Sequence, residues 1–163
     1  MVKWFRLTKN QYFGFFAFGL VLFALQELPY IITPLIPLTS NPLMETTDKS
    51  LFLSIIEKML CVTCVFVMLF LVRSDGKPFS FSNPNQKAFF SLAMLALAGY
   101  FVGWIFYFSG YQSLPLILCL LVAMPPIYYA LIGLWRRNYL LVVLSGLFLF
   151  AHMLNVWHNL KLG

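Results

Sequence analysis

The chain has 163 residues, a net charge of +6, and 61% hydrophobic against 10% charged residues. With a mean hydropathy of +0.86, this excludes an ordinary soluble domain, which is nearer half apolar and a quarter charged. The positive balance does not describe a nucleic-acid face, because the basic residues sit in short gaps between oily runs and form no stripe.

The length suits one domain, residues 1–163. A basic stretch, Met1 to Asn10, leads into the first apolar run, as in a secretory leader. No small-x-small cleavage pattern follows, and Gln26-Glu27-Leu28-Pro29 is a poor processing site, so the run is read as an uncleaved span. Crossing hydrocarbon takes roughly 20 helical residues. Five segments meet that length: Tyr12–Leu38, Leu51–Val72, Ala88–Ser109, Leu114–Trp135 and Tyr139–Leu160. Backbone in lipid must satisfy its own hydrogen bonds, so all five are predicted as helices. The expectation is an all-α, polytopic membrane protein with five transmembrane helices in a compact bundle.

Orientation follows from the flanking cations. Lys3, Arg6 and Lys9 precede the first span, Arg73, Lys77 and Lys87 follow the second, and Arg136 and Arg137 follow the fourth. The opposite side carries Lys49 and Lys161. The asymmetry predicts a cytoplasmic N-terminus, an outside C-terminus and residence in the cytoplasmic membrane. Arg136-Arg137-Asn138 predicts a tight helical hairpin, and the connection Thr39–Ser50 is long enough to act as a lid. Pro29, Pro34 and Pro37 are expected to kink or unwind the outer half of the first helix. Pro125-Pro126 should bend the fourth. Trp135 and Tyr139 fit an interfacial aromatic belt.

The functional argument begins at Glu27, a carboxylate in an oily span that must be protonated, paired or turned to a polar cavity. At about 1.5 Å per residue, Glu27, Glu57 and His152 all fall roughly 20–22 Å from the cytoplasmic edge. On the second helix Ser54, Glu57, Cys61, Cys64 and Met68 share a stripe with Lys58 at its margin. On the fifth, Ser145, His152, Asn155 and Asn159 share another, with Trp157 and His158 off to either side. Glu27, Glu57, His152 and Asn155 are therefore expected to meet in the bundle interior. Gln26, Lys58, Tyr30 and Trp104 are expected to complete a ligand site, with Tyr100, Tyr107, Tyr128, Tyr129 and Trp157 as further aromatic walls.

Four chemistries compete for that cluster: charge pairing, ligand recognition, proton relay and metal binding. The histidines, six residues apart, are not the i, i+4 pair that shares one helical face, and neither metal nor cofactor is expected. Cys61-Val-Thr-Cys64 has a redox spacing but lies deep in an apolar helix, where a thiol reacts poorly, so packing is its expected role. Gly99 and Gly103 give the third helix a small face for contact inside the bundle, with a second copy or a membrane partner as the alternative.

The chain matches no family motif for motif. Its length and span count are similar to those of the translocator-protein group, whose tryptophan-rich loop pattern is absent. The leading expectation is a membrane protein that binds or moves a small or lipid-like ligand. The alternatives are an accessory subunit without a ligand and an intramembrane enzyme with Glu57 or His152 as general base.

Overall fold

In a computed structural model of the chain, residues 2–38, 41–43, 49–73, 79, 81 and 83–160 are described. Among the described residues, five helices are long and apolar enough to cross a membrane. They are α1 (Ala17–Ile32, continued by a 3₁₀ turn Thr33–Leu35), α2 (Leu51–Phe70), α3 (Pro84–Phe108), α4 (Leu114–Arg136) and α5 (Tyr139–Asn159). The most enclosed is α4, with 61% of its apolar window buried against 22% for α2 and 33% for α3 and α5. It packs against α3 and α5, α2 packs against α5, and α1 leans mainly on α2.

The all-α expectation needs correcting at one end. Three short strands, β1 (Val2–Arg6), β2 (Gln11–Phe15) and β3 (Leu71–Arg73), form an antiparallel sheet in that order. The span predicted from Tyr12 therefore starts at Ala17, and the one predicted to Val72 stops at Phe70. Sheet pairing wins here because Gly14 lets two neighbours close on it. A Cβ at that position would stand 2.1 Å from the Val2 carbonyl oxygen and 2.7 Å from a Val72 methyl. Phe13 stacks on Phe5 and Phe70, tying the hairpin to the end of α2.

Proline acts later in α1 than predicted. The helix runs through Pro29 to Ile32 and then tightens into the 3₁₀ turn Thr33–Leu35, where Pro34 has no N–H to continue the α-helical hydrogen bonding. The Thr33 hydroxyl donates to the Pro29 carbonyl at 2.7 Å. In α4 the double proline is accommodated by a change of helix type. Residues Ile117–Val122 are π-helical, with the Ala123 N–H reaching the Leu118 carbonyl five residues back, and Pro125-Pro126 open the following α-helical stretch. The start of α3 lies before the predicted Ala88, with Asn83 capping the Gln86 N–H at 2.9 Å and Pro84 in the first turn.

The predicted hairpin between the last two helices is present. Arg137 takes the left-handed conformation at φ 53°, and the Asn138 side chain caps Leu141. Trp135, expected in an interfacial belt, is instead buried among Phe16, Phe79, Phe81 and Phe90, with the Arg136 guanidinium 4.1 Å from the Phe16 ring. Tyr139 is exposed.

Candidate functional site

Two helices supply the polar centre. The α2 stripe turns Ser54 and Glu57 toward α5, whose own stripe answers with His152, Asn155 and Asn159. His152 Nδ1 lies 2.8 Å from Glu57 Oε1, and Asn155 Nδ2 donates to Glu57 Oε2. Both carboxylate oxygens are thus engaged. The Asn155 carbonyl oxygen accepts from Asn159 Nδ2 at 2.9 Å and from the Ser54 hydroxyl at 3.4 Å. Asn159 Oδ1 accepts the Lys49 backbone N–H at 2.9 Å. A continuous ladder therefore runs from the Glu57 carboxylate to the connection between α1 and α2.

That ladder identifies the partner of Glu57. Pairing with Lys58 and with His152 were both open from sequence; the geometry gives Glu57 the His152 imidazole as its hydrogen-bond partner, while Lys58 is exposed and makes no ion pair among the described residues. The Phe148 ring, one turn before His152, stacks on the imidazole at 5.1 Å between centroids. With Nδ1 held on a carboxylate, a neutral imidazole keeps its proton there and leaves Nε2 as an acceptor. Nε2 makes no hydrogen bond among the described residues.

A cavity of about 260 Å³ opens beside this pair, lined by Gln26, Glu27 and Tyr30 from α1, Glu57 and Cys61 from α2, Pro125 and Tyr129 from α4, and Phe148 and His152 from α5. Gln26 is buried and accepts a hydrogen bond from the Tyr129 hydroxyl. Glu27 is half-buried and forms no ion pair with a basic side chain among the described residues. Within one cavity, then, one carboxylate is matched by a histidine and the other by none.

A second chamber of about 270 Å³ adjoins the first and shares Tyr30, Glu57 and His152 with it. Leu43, Lys58, Asn155 and Asn159 lie around it. The later start of α1 fits the finding that Glu27 borders the first chamber and not the second. Counted from Ala17, Glu27 lies about 15 Å along its helix, whereas Glu57 and His152 each stand about 20 Å from the sheet end of theirs. The connection over the second chamber is fastened at both flanks. The Tyr107 hydroxyl donates to Asn41 Oδ1 at 2.7 Å and accepts the Leu43 N–H, while Lys49 Nζ donates to the His158 carbonyl at 2.7 Å. Residues 39, 40 and 44–48, with most of the predicted lid and both of its acids, lie outside the described residues.

Of the residues expected at the site, Gln26, Glu27, Tyr30, Glu57, Lys58, His152 and Asn155 border one chamber or the other. Trp104 borders neither: it is fully buried, with its ring edge-on to Tyr30 at 5.1 Å, and it sets the orientation of that tyrosine from behind. Trp157 faces outward at 61% exposure, so it is no wall. Phe148 and Pro125 were not anticipated. Phe148 carried a signal, since it sits four residues before His152 on the same stripe; Pro125 depends on the π-helical stretch, which nothing local announces. Cys61 borders the cavity as a free thiol, and Cys64 is buried 4.0 Å from the Ser145 hydroxyl. Among the described residues no three His, Cys, Asp or Glu side chains gather as a metal site.

Comparison with protein-family models, with curated proteins and with solved structures finds no match to this chain.

Proposed function

We propose that the chain is a multi-pass protein of the cytoplasmic membrane, with its N-terminus in the cytoplasm, that holds a small or lipid-like ligand between α1, α2, α4 and α5. One observation carries the reading: a cavity inside a bundle of apolar helices in which an unmatched carboxylate, a carboxylate–histidine pair and aromatic rings meet. A bundle that used these groups for packing alone would close on them, because ionisable side chains in hydrocarbon are costly unless fully matched. Small-molecule sites have this composition, mostly apolar walls with a few converging polar anchors. Glu27 and His152 Nε2 are the groups left to anchor a ligand. Asn155 holds the Glu57 carboxylate in place, and Glu57 in turn holds the imidazole.

The test is thermal unfolding of the purified protein in lipid nanodiscs against a panel of amines, carboxylic acids and alcohols of graded chain length. At least one class raises the melting temperature of the wild type, and Glu27→Ala abolishes that rise while leaving the unliganded protein folded. A response that survives Glu27→Ala unchanged refutes the reading.

The free His152 Nε2 favours a second reading, in which the imidazole serves as a base toward a bound substrate. His152→Gln would then remove turnover and spare binding. Loss of binding alone would count for the anchor role.

A further inference from the structure

The first chamber does not end at its own walls. Glu27 and Cys61 are shared with a groove of about 370 Å³ on the outer face of the bundle, between α1 and α2. Apart from Glu27, its lining is oily, including Phe23 from α1 and Val65, Phe66, Leu69 and Phe70 from α2. Val62, also in the groove, is 68% exposed and Phe66 is 49% exposed, so the groove faces the surroundings of the bundle and not its core. One carboxylate thus sits where an apolar trough meets an interior cavity.

Resting on the proposed ligand site, we infer that its ligand is a cationic amphiphile: an amine or quaternary ammonium head beside Glu27, and an alkyl tail lying in the α1–α2 groove. Charge complementarity selects the head. Glu27 lacks a basic partner among the described residues, whereas Glu57 has His152. An anionic head would add like charge beside two carboxylates, and a neutral head would leave Glu27 either protonated or unmatched, whereas a cation matches its ionised form. Tyr30, one turn from Glu27, lines the same chamber, and an aromatic ring there can attract an ammonium group. The trough selects the tail. An apolar chain in it packs along the groove walls as a lipid tail would and stays in the apolar layer, while the head reaches the cavity without crossing the fastened loop at the other end.

Binding to the full chain in zwitterionic-lipid nanodiscs tests this with four probes: tetramethylammonium, dodecyltrimethylammonium, dodecanol and dodecanoate. The expected order places dodecyltrimethylammonium at least ~10-fold tighter than either other twelve-carbon probe. Glu27→Gln weakens it on the order of a hundredfold by removing the partner of a desolvated charge, and Glu27→Asp restores most of the preference. Val62→Trp, which fills the trough at an exposed position, lowers affinity for the dodecyl cation and leaves tetramethylammonium unchanged. Equal binding of the three twelve-carbon probes, or binding of the cation that ignores Glu27→Gln, overturns the cationic head. A chain-length gain that survives Val62→Trp overturns the groove. If no amphiphile of any charge shifts the wild type, the ligand site itself fails, an outcome separate from either of these.

Discussion

Asn155 is the side chain through which the site is held at the scale of single residues. It is buried, gives its amide N–H to Glu57 and accepts from Ser54 and Asn159, so one planar group joins α2 to two turns of α5. Removing it takes a hydrogen-bond partner from a Glu57 carboxylate oxygen and from the Asn159 amide in an enclosed place. Asn155→Ala is expected to cost about 1–3 kcal/mol in unfolding free energy. Lys58→Ala should stay within about 0.5 kcal/mol, as for an exposed position outside any network. Steric-trap unfolding or denaturant titration in mild detergent measures both. Equal losses for the two would mean that Lys58 shares the balancing of Glu57. The orientation of Tyr30 belongs to this scale as well. Trp104→Leu is expected to leave every cavity contact in place yet weaken ligand binding several-fold, since an edge-to-face pair is worth about 0.5–1.5 kcal/mol and Tyr30 would lose its backing.

Among elements, the sheet and the π-helical stretch show where a one-dimensional reading stops. Length and hydropathy are additive along the chain, so five spans were legible without knowing any contact. The stripes of α2 and α5 were legible for a similar reason: helical periodicity fixes which side chains share a face, and Glu57, His152 and Asn155 obey it. Tyr12–Phe15 was not, because an oily aromatic run scores alike as helix or strand. The choice is made by Val2 and Val72, one on each side of Gly14 and neither adjacent to it in sequence. Trp104 was assigned to the site because aromatic composition says nothing about which layer of a wall a ring occupies. Gly103 answers a question its spacing left open. A Cβ there would stand 2.7 Å from Leu120 Cβ, so this glycine faces the π-helical stretch inside the bundle, whereas Gly99 has open space around it. The sheet yields the sharper prediction. Gly14→Ala must displace backbone, not merely a flexible side chain, and is expected to lower stability by about 1–3 kcal/mol. Gly99→Ala, with nothing within 4 Å, should be neutral or slightly favourable. Comparing the two melting temperatures decides whether the strand pairing contributes to stability.

For the whole molecule, the arrangement of charge joins the fold to its proposed orientation. Lys3, Arg6 and Lys9 on the hairpin, Arg73 on β3, Lys87 near the start of α3, and Arg136 and Arg137 at the end of α4 all fall at the sheet end of the bundle. An open sheet edge is not tolerated in hydrocarbon, where unpaired backbone groups find no partner, so the strands belong at a membrane surface. The exposed Trp4 and Phe5 beside those cations fit an interfacial position. In the proposed orientation, with short cation-rich segments on the cytoplasmic side, the sheet would lie inside and the Tyr107–Asn41 and Lys49–His158 contacts outside. The native cysteines all lie within spans, leaving the loops free for a reporter thiol. Tyr111→Cys, in the exposed connection between α3 and α4, is expected to react with a membrane-impermeant maleimide on intact cells, and Lys9→Cys only after permeabilisation. The reverse pattern would invert the molecule and place the second chamber against the cytoplasm. Reaction of both from outside would remove the odd number of crossings. The groove between α1 and α2 tolerates inversion but not loss of a crossing, because it depends on both helices standing side by side in lipid with Glu27 at their junction.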